Sequence, residues 1–481
     1  MTREPTSTSC KPAYAVPIHQ RRTSTNGKAD MNFASLVRHD DPTAPELVVD
    51  RLTADDDLFV RMDVVLGLPV VNQTLWRFPG TVDVDTITAL GQKLRYGRLS
   101  RLVTRHRGPG RAYWRYTPEA GAVEVQTDPV PAGGEEAWGR AQADAPLDFV
   151  KGPAWRLVVA RAAADDSVLV SLIISHVIAD GGTGAVAIIE AIHGLDYVPG
   201  AEPGLVSDVR DAADLLWTAG RTAVRIWRAG RSTPPPSPVR VTGRPAPETD
   251  VTDAETAPNV TVLIPQAEYT AAAKSRGGTD NSLFAALMVG VLERSGRVSA
   301  GDVVPVSLPV SSRTLDDRRA NASSGATAFV EVDPRRYDDL SAVRTACKDA
   351  YGRLAANSGA VAQRAVVLQA LSTSITRRLA SNVTTPLCLA SNVGQAPDEF
   401  ATLGTGTPGA LSIRAITATG DPARLRDRKG GISGWLAIND DHVMFSVSSL
   451  DPVRIPDAAS LRSLVTDELA AWGIAGKPWG A

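Results

Sequence analysis

The sequence predicts an α/β protein of two lobes, on three observations. Its 481 residues exceed what one hydrophobic core organises, and 43 % of them are hydrophobic, enough for two. Short β-branched runs alternate with helical apolar spacings through the first half. Between residues 231 and 259 the chain turns rich in Pro, Thr, Ser and Asp, including Pro234-Pro235-Pro236, which marks a linker. The expected organisation is a disordered tail at 1–43, a first lobe at 44–230, the linker at 231–259 and a second lobe at 260–481.

Within the first lobe, Thr74 to Arg77 reads as a strand. Asp85 to Leu102 carries roughly helical spacing through Ile87, Leu90, Leu94, Leu99 and Leu102, a core helix on a sheet. Ala112 to Tyr116 and Val123 to Val125 read as short strands, and Glu135 to Ala143 as a helix. Ser167 to Ile174 is a continuous apolar run, short enough to be a strand buried on both faces. Gly181-Gly182-Thr183-Gly184 then permits a sharp reversal, and Ala185 to Ile192 follows as a helix with Thr183 as its N-cap. A further helix runs from Val206 to Arg228. In the second lobe the reading is a strand at Val260 to Ile264, a helix at Gln266 to Ser275, a strongly apolar helix at Ser282 to Glu293 capped by Asn281, and a strand at Val303 to Val310. Two amphipathic helices follow at Tyr337 to Asn357 and Ala360 to Leu379.

Composition excludes some functions. A formal net charge of −2 offers no global attraction for nucleic acid. Cys10, Cys347 and Cys388 lie far apart, with neither a metal-ligand spacing nor a disulfide framework, so a reducing cytoplasm is expected and no metal is implied. The first 40 or so residues lack the apolar core of a secretory signal. No run approaches the roughly 18 apolar residues of a membrane span, so a soluble or peripheral protein is expected.

Chemistry concentrates in Ser175-His176-Val177-Ile178-Ala179-Asp180-Gly181, an H-x-x-x-D-G where the buried strand breaks. Given this content of His, Asp and Gly, chance produces the motif in only about 4 % of such chains. The strand, Gly-rich turn and helix around it are what chance does not supply. An imidazole with an ordinary pKa of about 6.5 takes the proton of a hydroxyl as it attacks a thioester and returns it to the leaving thiolate. His176 has the position for both steps. Asp180 is better placed to pair with an Arg and hold the turn than to touch substrate.

A wider pattern surrounds this motif. Pro146-Leu147-Asp148, Gly152-Pro153-Ala154-Trp155-Arg156-Leu157-Val158-Val159 and then His176 to Gly181 resemble the wax ester synthase/diacylglycerol acyltransferase-like group of the CoA-dependent acyltransferase superfamily. That superfamily also holds peptide-synthetase condensation domains, polyketide-associated acyltransferases and chloramphenicol acetyltransferase. Val304 to Arg313 with Asn321, Ser391-Asn392-Val393-Gly394, and Gly434 to Asn439 with Val443 to Val447 and Asp451 are similar to later segments of the same pattern. Ser175 stands where the group usually carries a first His, and Gly394-Gln395 replaces a fuller Pro-Gly-Pro ending.

The resemblance covers about residues 44–475 and implies two chloramphenicol acetyltransferase-like lobes, each a mixed sheet flanked by helices, with an active-site tunnel between them. It implies His176 as general base, Asp180 and Gly181 as structural residues of the site, and Arg313 reaching across to Asp180. Asn392, Ser391 or a backbone N–H of the Gly181-Gly182 turn are the candidates for oxyanion stabilisation or for shaping the channel. The implied reaction moves an acyl group from acyl-CoA, as co-substrate, to a long-chain alcohol, diacylglycerol or another lipid-like alcohol, with no metal or redox cofactor. An acyl donor on a carrier protein, as in condensation-type or polyketide-associated enzymes, and a non-catalytic homologue binding acyl groups or carrier protein are the alternatives. A dinucleotide site is disfavoured, because the Gly spacing is not G-x-G-x-x-G. Finally, residues 206–231 set Arg221, Arg225, Arg228 and Arg231 beside Leu216, Trp217, Val224 and Trp227. Such a helix either contacts a membrane surface peripherally or packs its Trp residues inward between the lobes.

Overall fold

A computed structural model describes residues 49–480 apart from 106–109, 231–240, 245–249, 315–316, 380–384 and 440. The tail expected at 1–43, Arg231 and most of the Pro-rich linker lie outside the described residues. The first half runs α1 (Ala54–Val64), β1 (Val70–Phe78), α2 (Val84–Leu94), the hairpin β2 (Arg101–Thr104) and β3 (Tyr113–Tyr116), β4 (Gly121–Val125), α3 (Glu135–Asp144), β5 (Trp155–Arg161), β6 (Val168–Ser175), α4 (Gly181–His193) and α5 (Leu205–Gly230). The second half runs β7 (Asn259–Pro265), α6 (Gln266–Lys274), α7 (Asp280–Arg294), β8 (Val303–Ser311), β9 (Ser323–Glu331), α8 (Ser341–Gln369), α9 (Thr373–Leu379) and β10 (Cys388–Gln395). It closes with α10 (Asp398–Thr402), β11 (Ala410–Thr417), α11 (Pro422–Asp427), β12 (Ile432–Ile438), β13 (His442–Ser449), α12 (Ala458–Ala471) and β14 (Lys477–Pro478).

Two mixed sheets carry the architecture, and neither closes into a barrel. One has the order β11-β1-β6-β5-β4, the other β14-β7-β13-β12-β10-β8-β9. All eight residues of β6 are buried, as its unbroken apolar run requires of a strand with neighbours on both sides and helices on its faces. In the larger sheet α7 plays the equivalent part: every residue from Ser282 to Leu292 is buried against the strands, α8 and α12. A division of the chain at 260 does not divide the sheets cleanly. β11, from the second half, pairs antiparallel with β1 from Val70↔Thr417 to Arg77↔Ala410 and so joins the first sheet.

Several elements differ from the sequence reading. The helix expected to Leu102 ends at Leu94, where the chain turns through Gly97; Leu99 and Leu102 still enter the same core, in and before β2, so the apolar spacing continues across a change of element. The cap of α7 is Thr279, in a reciprocal capping box with Ser282, and Asn281 instead donates to the Tyr351 hydroxyl. The two helices expected over 337–379 are divided elsewhere: α8 runs unbroken from Ser341 to Gln369, and the break falls before α9. β9 and β11 are strands where the sequence reading named none. Among the described residues no helix is long and apolar enough to cross a membrane.

One contact sets the pairing beside the site. Gly121 of β4 lies opposite Trp155 of β5, and a Cβ at 121 would stand 2.0 Å from the fully buried indole. The ring has no room to yield. Gly121→Ala is therefore expected to lower stability by about 1–3 kcal/mol through overpacking, measured by urea unfolding.

Candidate active site

The H-x-x-x-D-G segment begins where β6 stops. Ser175 N–H donates to Ala154 O at 2.9 Å and His176 N–H to Val70 O at 2.9 Å, so the strand ends tied to both neighbours. A tight turn over His176 to Ile178 follows, and Asn72 Nδ2 fastens the next residue by donating to Ala179 O at 2.8 Å. The reversal is made here and not by the glycines. Gly181 and Gly182 already lie in the first turn of α4, and the N-cap is Asp180 instead of Thr183. Thr183 is the third helical residue, whose N–H the Asp180 carboxylate accepts at 2.7 Å.

Asp180 is 2 % exposed, and a buried carboxylate must find donors. It finds them in two places. Oδ1 accepts from Thr183 N–H and from Arg313 Nη2 at 2.9 Å, while Oδ2 accepts from Ala322 N–H at 2.9 Å and from the same Nη2 at 3.0 Å. Arg313 also donates to Arg319 O and Ala320 O. The pair thus joins the turn after β6, in one sheet, to the loop after β8, in the other. Gly181 follows directly as the first residue of α4.

The same loop presents Asn321, whose Oδ1 lies 3.0 Å from His176 Nδ1. Its Nδ2 faces two acceptors, Asp56 Oδ1 at 3.2 Å and Val177 O at 3.3 Å, which fixes the amide orientation. The oxygen therefore faces the ring, Nδ1 carries the proton, and the Nε2 lone pair is free to act as a base. No hydrogen bond to Nε2 is present among the described residues. Asp56 is completely buried and holds Asn321 N–H as well, at 2.8 Å, while Thr53 N–H and Oγ1 donate to its other oxygen. Burial pushes the Asp56 carboxyl above the usual carboxylate range.

Phe59 of α1 covers the imidazole, with ring centroids 3.7 Å apart and planes 11° from parallel. His176 is 9 % exposed. Burial holds its pKa below the ordinary value, against the opposing pull of the Asp180 carboxylate and the Asn321 hydrogen bond. α1 also borders a cavity of about 610 Å³, whose lining includes Val60, Val64, Val103, Phe149 and Val150 together with Arg61, Arg105 and Arg115.

Ser391 and Asn392 stand on β10 in the larger sheet. Asn392 Nδ2 donates to Asn281 Oδ1 at 3.2 Å and its Oδ1 accepts from Gly394 N–H at 2.9 Å, at a bulge in the pairing with β12. The Ser391 hydroxyl is buried and has no hydrogen-bond partner among the described residues. The structure brings His176, Asp180, Gly181 and Arg313 together; neither β10 residue hydrogen-bonds any of them among the described residues. Two groups had no functional signal in the sequence. Thr53-x-x-Asp56 is legible as a helix cap, but the contacts of Asp56 and Phe59 with residues 321 and 176 are not.

The architecture has relatives among solved structures. The wax ester synthase/diacylglycerol acyltransferase from Marinobacter aquaeolei VT8 is similar over 88 % of this chain and 98 % of its own, with TM-score 0.52 and 13 % identity. The first condensation domain of the calcium-dependent antibiotic synthetase, in complex with a substrate analogue, is similar over 88 % of this chain and 96 % of its own, with TM-score 0.55 and 16 % identity. The condensation domain from Monacolin K polyketide synthase is similar over 89 % and 97 %, with TM-score 0.52 and 14 % identity. No protein-family model matches the sequence, and no curated protein does. The shared property is the fold, that of CoA-dependent acyltransferases and condensation domains.

Asp180→Asn keeps the shape of the side chain but places an amide against three donors and strands Arg313. It is expected to cost about 3–5 kcal/mol of stability. His176→Ala in the same thermal and urea unfolding series is expected to leave the fold intact. A reversal of that order would remove Asp180 from its structural role.

Proposed function

We propose that this protein is an acyltransferase that moves an acyl group from a thioester to a hydroxyl, with His176 as general base. The observation that carries the reading is the orientation of one imidazole: Nδ1 occupied by Asn321, Nε2 unoccupied, at the end of a buried strand. The acceptor O–H gives its proton to Nε2 as its oxygen attacks the thioester carbonyl. The C–S bond then breaks, and the imidazolium returns that proton to the departing thiolate. No acyl group passes through the protein itself, so its contribution is orientation and a base. The cover that Phe59 provides also favours this outcome, because a site closed to water disfavours hydrolysis of the thioester.

The donor in this reading is acyl-CoA and the acceptor a long-chain alcohol, diacylglycerol or another lipid-like alcohol. The valine and phenylalanine walls of the cavity beside α1 support a hydrocarbon chain on one substrate. A carrier-protein-bound donor is the second reading, favoured by the condensation-domain likenesses. Asn392 is given a shaping role in β10, since both ends of its amide are already engaged.

Thiol release is the direct test. Acyl-CoAs of short to long chain, each offered with long-chain alcohols and diacylglycerol, are expected to release thiol only when acceptor is present, and His176→Ala is expected to lower turnover by roughly 10²–10⁴. Absence of release with every CoA donor, but transfer from an acylated carrier protein, would select the second reading. Asn321→Leu removes the partner of Nδ1 and is expected to lower kcat by about 10²-fold with KM little changed.

The pH profile follows from burial. A folded-state pKa below the ordinary value of about 6.5 leaves the imidazole unprotonated through neutral pH. The acidic limb of kcat/KM is therefore expected to have its midpoint under pH 6.5. An acidic limb centred above 7 would contradict a buried His176 as the base.

A further inference from the structure

We propose that the outward face of α5 is a docking surface for an anionic lipid bilayer. The helix of 26 residues is divided lengthwise into three arcs. Asp208, Ala212, Ala219 and Thr222 are buried where it packs on α8. At about 100° per residue, Val206, Val209, Ala213, Leu216, Trp217, Gly220, Val224 and Trp227 share a different arc about 100° wide. All eight are exposed. Val206 is 80 % exposed, Leu216 64 %, Trp217 67 % and Trp227 59 %. Arg210, Arg221, Arg225 and Arg228 lie in the neighbouring arc, also exposed, four cations against the single exposed carboxylate of Asp214 there, and the Arg221 guanidinium lies 5.7 Å from the centre of the Trp217 ring.

The Trp residues therefore do not pack inward between the sheets, the alternative open from sequence. An apolar stripe about 30 Å long left in water, bordered along one edge by guanidinium groups, has the amphipathic build of a helix lying in an interface. Charge selects the occupant. A second copy of the chain would set like-charged Arg rows near one another, whereas an anionic headgroup layer pairs with them while Trp, Leu and Val enter its apolar boundary.

The helix is held rigidly for such a role. At its N-terminal end Arg51 donates to Asp208 at 2.8 Å and to Ser207 at 2.9 Å, and Arg111 donates to Asp211 at 2.7 Å. Arg51, Arg111, Ser207 and Asp211 border a cavity of about 600 Å³ that also reaches Thr53, the cap of α1, and Arg319 of the loop that grips Asp180. A bilayer on α5 would thus lie beside the loops that build the catalytic turn.

Co-sedimentation with phosphatidylcholine vesicles, with and without phosphatidylserine, tests this without reference to catalysis. The full chain is expected to bind the anionic vesicles and to be released as salt is raised from about 0.1 to 1 M. Trp217→Ser with Trp227→Ser is expected to weaken binding by about 100-fold, at about tenfold for each large apolar side chain withdrawn. Arg221→Glu with Arg228→Glu is expected to weaken it by roughly 10- to 100-fold on anionic vesicles only. Phe329→Ser, an exposed residue of β9, should bind as the parent does, and unchanged circular-dichroism melts confirm that each variant folds. Failure of the parent to bind anionic vesicles overturns the proposal, as does binding that survives both α5 variants. So does an oligomer in sedimentation velocity that the Trp variant dissociates, which would make the face an interface between copies.

Discussion

Everything at the candidate site depends on one buried carboxylate. Asp180 must satisfy two oxygens away from water, and its donors are drawn from the start of α4 and from the loop after β8. Arg313 neutralises the charge and fastens the loop backbone at Arg319 and Ala320. Because Asn321 sits in that loop between Ala320 and Ala322, both of which also bond to this turn, its side chain is set against the imidazole. The Asp180–Arg313 pair thereby holds in place the loop whose Asn321 sets the tautomer of His176.

The halves of the molecule are interlocked by more than this pair. β1 pairs on one edge with β6, which carries His176 at its end, and on the other with β11 from the second half. Trp76 of β1 also donates to Phe400 O beyond β10. Moving one half of the chain relative to the other would strain β1, the strand next to β6. α1 adds a third tie, since its Asp56 holds Asn321 while its Phe59 lies on His176. Burial of the imidazole beneath Phe59 thus lowers its proton affinity.

α5 stands apart in its energetics. Most large apolar side chains enter one of the buried clusters, whereas this helix buries small residues and shows water its largest ones. Folding alone gains little from that arrangement, because Leu216, Trp217 and Trp227 stay 64 %, 67 % and 59 % exposed.

The sequence by itself determined the local part of this protein. An unbroken apolar run at Ser167 to Ile174 makes a buried strand wherever it sits, His176 and Asp180 follow at its end, and the resemblance carried by Val304 to Arg313 brought the right Arg to the right carboxylate. The alternation of elements was legible for the same reason, since periodicity depends on residues three or four apart. Boundaries were less so: Leu99 and Leu102 keep a helical rhythm in non-helical backbone, and α4 starts earlier than its apolar spacing indicates, capped by Asp180 through the Thr183 N–H. Only the tertiary structure decided what depends on distant neighbours. Asn321 lies 145 residues from the ring it orients and 265 from the aspartate that orients it, β11 leaves the sheet of its own half, and the Trp residues of α5 face outward. No pattern along the chain encodes these, because each results from which surfaces meet once the two sheets have packed.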